Sequence, residues 1–508
     1  MLVKVALLLL FFTVTIGIGL KFHQKSASVS SFVLAGRSVG PWLTAFAYGT
    51  SYFSAVVFVG YAGQFGWRFG LSSVWIGLGN ALIGSLLAWV VLARRTRVMT
   101  HHLGSATMPD FFGLRYDSKG LKIGSSIITF IFLVPYTASL YNGLSRLFSM
   151  AFGVDFTLCI IAMAVLTAIY VIAGGYMATA VNDFVQGIIM LGGIIAVIAA
   201  MLNSHGGFTA SLLRLAEVSD PAVSAAPGVF ASFFGPAPID LLGVVLLTSV
   251  GTWGLPQMVQ KFYAIRSEKS ILTGTVISTA FALVISGGCY FLGGFGRLFG
   301  DRIDVATNGF DSVIPAMLSG FPDILVGIVV LLVLSASIST LSALVMASAS
   351  TFTLDFLKGN FVKNMSEKTQ LFVIRSLVAV FILISAVIAM VQYKGSVSFI
   401  AQLMGVSWGA LAGAFLAPFL FGLYWKRATR PAVWANFAFA TGLMLLNIFF
   451  RSSFPPILQS PINAGAFAML AGFVIVPLVS FLTPAPSKAQ VERCFSGYNG
   501  QEASSFKK

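Results

Sequence analysis

The chain has 508 residues, of which 57% are hydrophobic and 9% charged, and its mean hydropathy is +0.92. Soluble domains carry about 25% charged residues, so these few charges cannot coat a water-exposed surface and a polytopic membrane protein is implied. The net charge of +15 is spread through short segments between apolar runs, without the interleaved stacking aromatics that a nucleic-acid partner would require.

A spanning helix takes ~20 largely apolar residues. Thirteen such stretches are read, at 2–20, 41–66, 71–93, 124–152, 156–174, 185–203, 240–257, 271–296, 325–350, 374–392, 398–424, 432–450 and 464–482. In the first, Lys4 precedes the apolar run but no small-x-small cleavage site follows it, so it is read as a retained helix rather than a signal peptide. Residues 1–482 then form one transmembrane domain in a lipid bilayer, and 483–508 form a polar tail.

With an odd number of spans the termini lie on opposite sides. On one side fall Lys21, Lys25 and Arg37, the basic residues between the third and fourth spans, those at 261–269, 358–375 and 426–430, and the tail. The other side holds only Lys4, Arg68, Arg146, Arg214, Arg297, Arg302, Lys394 and Arg451. The positive-inside rule therefore predicts an external amino terminus and a cytoplasmic carboxyl terminus in the plasma membrane.

The second span carries Gly49-Thr50-Ser51-Tyr52-Phe53-Ser54, small and hydroxyl residues where a lipid-facing helix would have leucine and valine. The seventh carries Gly251-Thr252-Trp253-Gly254-Leu255-Pro256-Gln257, and each pattern can interrupt a helix. The two breaks are five spans apart, and an odd offset reverses direction. Segments 41–203 and 240–424 are thus predicted to be inverted five-helix repeats, with a site between the breaks at mid-membrane. Tyr52, Trp253 and Gln257 are the candidate solute contacts there. Close helix packing by glycine is the other reading of either break taken alone.

The ninth span presents Ala336, Ser339, Thr340 and Ala343 on one face, with Ser342 on its shoulder. Hydroxyls and freed carbonyls supply the oxygens a hard cation such as Na+ wants without burying net charge. The same hydroxyls can instead bond back to carbonyls one turn earlier.

Asp183 follows Asn182 and precedes an apolar run, so a helix N-cap at the cytoplasmic face and a place on an ion path are both open. Arg146 either snorkels or meets a carboxylate solute. Cys159, Cys289 and Cys494 show no metal or disulfide spacing. His23, His101, His102 and His205 fall in predicted loops, and no catalytic motif accompanies them, which argues against an enzyme. Nothing indicates a protein partner.

Several patterns in order over residues 31–430 resemble the sodium/solute symporter family, which includes sodium/proline, sodium/galactose and sodium/sialic acid transporters. They are Gly36-Arg37-Ser38-Val39-Gly40-Pro41-Trp42, Thr107-Met108-Pro109-Asp110-Phe111-Phe112-Gly113, Gly174-Gly175-Tyr176 with Asp183 and Gln186, Gly254-Leu255-Pro256-Gln257 with Gln260-Lys261-Phe262, and Ser339-Thr340-Leu341-Ser342. The resemblance implies an all-α LeuT-like 5+5 inverted repeat, Na+ as coupling ion, symport of a small organic solute and alternating access.

It also implies a sodium site from the carbonyls of Thr50, Phe53 and Ala336 and the hydroxyls of Ser339 and Thr340. A second sodium in some members sits near the equivalents of Asp183, Ser339, Ser342 and the next position, which is Ala343 here. The proline transporters have an aspartate where this chain has Tyr52, which points toward hydrogen bonding or stacking with an uncharged or anionic solute; plain packing of Tyr52 is the other reading. A proton-coupled carrier of the same fold, or a channel, would be told apart by uptake driven by an acid gradient or by flux without solute coupling.

Overall fold

The computed structural model describes residues 2–22, 28–224, 226–358, 360–362, 364–393 and 400–505. His23, Lys25, Lys363, Lys394, Lys507 and Lys508 lie outside the described residues. Among those described, the chain is almost wholly helical, and the extended contacts are the isolated bridges Val39–Ile265, Asp220–Ser224 and Lys358–Val362.

In chain order the principal helices are α1 (Leu2–Phe22), α2 (Pro41–Tyr52), α3 (Val56–Leu103), α4 (Lys119–Phe152), α5 (Phe156–Ile169) and α6 (Gly174–Ser204). They continue with α7 (Pro238–Val250), α8 (Pro256–Tyr263), α9 (Lys269–Gly294), α10 (Asp323–Thr351), α11 (Glu367–Tyr393), α12 (Ile400–Tyr424), α13 (Arg430–Phe449), α14 (Pro461–Leu482) and α15 (Lys488–Ser505).

Among the described residues ten helices are long and apolar enough to cross a membrane, or eleven when the bent pair around Leu255 is one span. The sequence reading of thirteen differs at two places. The predicted second span is divided, since α2 has only 12 residues and its continuation runs on into the third as α3. At 48 residues and 1.5 Å per residue, α3 would be about 72 Å long, more than twice the ~30 Å hydrocarbon thickness. Gly70, with φ 62° and ψ −143°, turns the chain inside it. The predicted fifth span is the short α5, parted from α6 at Gly175, whose φ of 62° only glycine adopts readily.

The tail, read as merely polar, includes the helix α15, which docks on the end of α3. His102 Nε2 lies 2.7 Å from the Arg493 carbonyl, and the Tyr498 hydroxyl donates to the Arg95 carbonyl at 3.0 Å. His101 and His102 also sit in the last helical turn of α3, not in a loop. α10 and α12 are the most enclosed spans, whereas α1 lies largely exposed at the rim, as a lipid-facing helix would. The centre of the molecule is therefore α10 and α12 against the breaks after α2 and α7.

Candidate ion and solute site

α2 stops at Tyr52 because Phe53 takes extended backbone angles (φ −107°, ψ 116°), and helical winding resumes at Val56 with π-helical turns. A helix end leaves its last carbonyls without intrahelical donors. The unwound stretch is nonetheless buried, with Thr50, Ser51, Phe53 and Ser54 all at most 1% exposed. Partners for those carbonyls must come from another element, and α10 supplies them.

Thr340 Oγ1 lies 3.2 Å from the Thr50 carbonyl, 3.4 Å from that of Ser51 and 3.0 Å from that of Ala336. The Ser339 hydroxyl donates to Thr50 Oγ1 at 2.7 Å, and Thr50 Oγ1 in turn donates to the Phe46 carbonyl. Thr50, Ala336, Ser339 and Thr340 thus form one knot of oxygens, with Phe53 in the break beside it. Ser342 behaves differently, since its hydroxyl donates to Ile338 one turn back at 2.7 Å.

The second break is built on Pro256, which lacks an N–H and forces the residue before it out of the helical region. Leu255 accordingly has φ −85° and ψ 122°, and α8 leaves α7 bent by 45°. The Tyr52 hydroxyl donates to the Thr248 carbonyl of α7, tying the two breaks together. Trp253 Nε1 donates to Ile83 at 3.1 Å. Gln257 is 1% exposed, and neither atom of its side-chain amide has a hydrogen-bond partner. Trp408 of α12 lies 6.2 Å from the Tyr52 ring and 5.9 Å from that of Tyr136. Sequence reasoning did not single out Trp408 or Tyr136, because an aromatic inside an apolar run looks like ordinary packing.

Asp183 corrects the capping reading. It lies inside α6, 1% exposed, with no hydrogen bond to either carboxylate oxygen, because the helix begins nine residues earlier at Gly174. The structure also takes Lys261 out of the basic loop expected at 261–269: it is buried in α8 with its Nζ 3.9 Å from Asp183 Oδ2. Arg146 neither snorkels nor stands free, since its Nε lies 3.8 Å from Asp311 Oδ2.

The sodium:solute symporter family profile matches residues 32–438. The chain belongs to the sodium:solute symporter family. It is 27% identical over 488 residues to the osmoregulated proline transporter OpuE of Bacillus subtilis (strain 168), covering 94% of this chain and 95% of that one. It is 28% identical over 488 residues to a sodium/proline symporter of Staphylococcus aureus, covering 94% and 91%. A solved Na+-coupled sialic acid symporter in a substrate-bound, outward-open state superimposes with a TM-score of 0.72 at 14% identity, covering 96% of this chain and 99% of that one. The fold is LeuT-like, as that superposition shows. The symporter is accordingly a multi-pass membrane transporter, not an enzyme, that couples a small-molecule solute to Na+.

Proposed function

We propose that Na+ binds between α2 and α10, on the carbonyls of Thr50, Phe53 and Ala336 and the hydroxyls of Ser339 and Thr340. The solute is held beside it by Tyr52, Trp253 and Gln257, between inverted repeats 41–203 and 240–424. The amino terminus is external, the carboxyl terminus cytoplasmic, and the membrane is the plasma membrane.

The observation that carries the solute assignment is Gln257, whose buried amide leaves one acceptor and two donors unanswered. Such a group costs stability unless a ligand or water answers it. The two breaks also carry the flat apolar faces of Tyr52 and Trp253, with Trp408 6.2 Å from the Tyr52 ring, which suits a compact, uncharged or carboxylate-bearing organic solute. Relatives named as proline transporters make proline a necessary member of the panel. Tyr52, standing where the family resemblance implies an aspartate in proline transporters, argues that proline is not the preferred solute.

At 100 mV each inward charge contributes ~2.3 kcal/mol from the potential alone. Linkage requires that Na+ raise solute affinity and solute raise Na+ affinity by the same factor. The test is a thermal-shift screen of sugars, amino acids, carboxylates and vitamins with and without Na+, followed by uptake of the hit into proteoliposomes. The expected hit stabilises the protein more in Na+, is taken up on a Na+ gradient but not on an acid gradient, and loses affinity at least several-fold in Gln257→Ala and Tyr52→Ala. Unchanged affinity and selectivity in both variants would move the pocket elsewhere.

A further inference from the structure

Two charged side chains from different elements meet deep in the membrane-spanning body. Lys261 Nζ lies 3.9 Å from Asp183 Oδ2, with the two side chains 4% and 1% exposed. The ammonium also stands 5.1 Å from the ring centroid of Tyr176, one of whose faces it covers. Asp183 makes no hydrogen bond, and the amide of Gln186, one turn further along α6, is buried with neither end paired. A carboxylate taken out of water needs a positive charge or several donors to stay ionised. Among the described groups around Asp183, Lys261 is the cation within reach.

We infer that the Lys261 ammonium is a tethered cation that fills the coordination place at Asp183 and keeps a second Na+ out of it, so that the symporter binds one Na+. This rests on the Na+-symport reading and on the site proposed between α2 and α10.

Three observations bear on it. A Na+ at Asp183 would sit beside the ammonium, two cations sharing one carboxylate in a region of low dielectric, where like charges repel strongly. With the ammonium in place the nearby hydroxyls bond elsewhere, Ser339 to Thr50 and Ser342 to Ile338, and rotation of those hydroxyls can return their oxygens to an ion at Asp183 once the ammonium is gone. Finally, Lys261 lies four residues after Gln257 on α8, a spacing that puts both on one helix face. Solute pairing at Gln257 and charge pairing at Asp183 are therefore carried by the same eight-residue helix, which joins the solute place to the ion place.

Equilibrium binding of radioactive sodium to the purified full-length chain in detergent tests this. Wild type should saturate at one Na+ per polypeptide with a Hill coefficient of one, and Lys261→Arg, which keeps the charge, should do the same. Lys261→Met uncovers the carboxylate and should saturate at two, and Asp183→Asn/Lys261→Met should return to one. A wild-type count of two overturns the inference, as does a count of one in a Lys261→Met variant that elutes as a folded monodisperse species. Should Lys261→Met not fold, Asp183→Asn decides. Retention of one Na+ supports the inference, whereas loss of all Na+ binding shows that the carboxylate itself holds the ion and overturns it. No Na+ binding by wild type would remove the symport reading itself, a result distinct from a count of two.

Discussion

Ser339 and Thr340 differ from the other hydroxyls of α10 in where they point. Ser337 and Ser342 donate to carbonyls one turn back, at 2.6 and 2.7 Å, the ordinary fate of a hydroxyl inside a helix. Ser339 and Thr340 reach across to Thr50, and Thr340 also holds the Ala336 carbonyl. Spacing along the helix places these residues on one side but cannot tell a back-bonded hydroxyl from a bridging one, because that depends on the neighbouring helix being broken. If this knot holds the ion, removing one oxygen from a dry site should weaken Na+ binding by about 1–3 kcal/mol, raising half-saturating Na+ roughly 5- to 150-fold. Ser339→Ala and Thr340→Ala should show this in the Na+ dependence of uptake, with Ser337→Ala as the neighbouring control that leaves it unmoved. Unchanged Na+ activation in the Ser339→Ala/Thr340→Ala double variant would remove α10 from the ion site.

At the scale of elements, both breaks were readable because their causes are local. Pro256 dictates an extended Leu255 whatever surrounds it. The run Gly49-Thr50-Ser51 weakens α2 just before it stops, through glycine's backbone freedom and hydroxyls that compete for backbone groups. What is not local is the closeness of the helices beside the breaks. A Cβ placed on Gly66 would collide with the backbone of Gly293, and one on Gly293 with the backbone of Ala62, so α3 and α9 touch main chain to main chain. Gly293→Val should therefore cost about 1–3 kcal/mol or more through overpacking, lowering the melting temperature and the yield of monodisperse protein. Gly17→Ala, where nothing lies within 4 Å of an added Cβ, should leave both unchanged. Equal melting temperatures for the two variants would mean that the α3–α9 contact is not as close as described.

For the molecule as a whole, charge is gathered at both ends of the bundle. At the end carrying α15, Lys122 bridges Asp110 at 2.6 Å and Asp355 at 3.3 Å, and Thr107 also bonds Asp355. Asp110, Lys122 and Asp355 border a cavity of about 640 Å³ that Arg37 and Glu367 share. The opposite end is tied by Arg68–Asp240 at 3.2 Å, Arg146–Asp311 at 3.8 Å and Arg297–Asp220 at 2.9 Å. Burial of Lys261 takes one charge out of the positive-inside account without reversing its sign, so the proposed orientation stands on the remaining loops. The native cysteines are buried, which leaves a quiet background for labelling. In intact cells a membrane-impermeant thiol reagent should modify Ser232→Cys, exposed near α7, and spare Ser487→Cys, exposed just before α15. The reverse pattern would invert the topology.

Hydropathy and the placing of glycine, proline and hydroxyl residues determined by themselves that this chain is a helical membrane transporter with two interrupted segments. Each of those signals acts over one turn or one span, which is the range that sequence patterns express. The partners of Asp183 and Lys261 were beyond that range. Asn182-Asp183 before an apolar run has the local form of a cap, and Lys261 among Arg266, Glu268 and Lys269 has the local composition of a loop. Only the packing of α8 against α2, the end of α3 and α10 brought Lys261 indoors and opposite Asp183, because the cost of burying each ion is offset by the other and by nothing in its own segment. The sharing of Thr50 between Ser339 and Thr340 was settled the same way, by two helices meeting where one of them had already come apart.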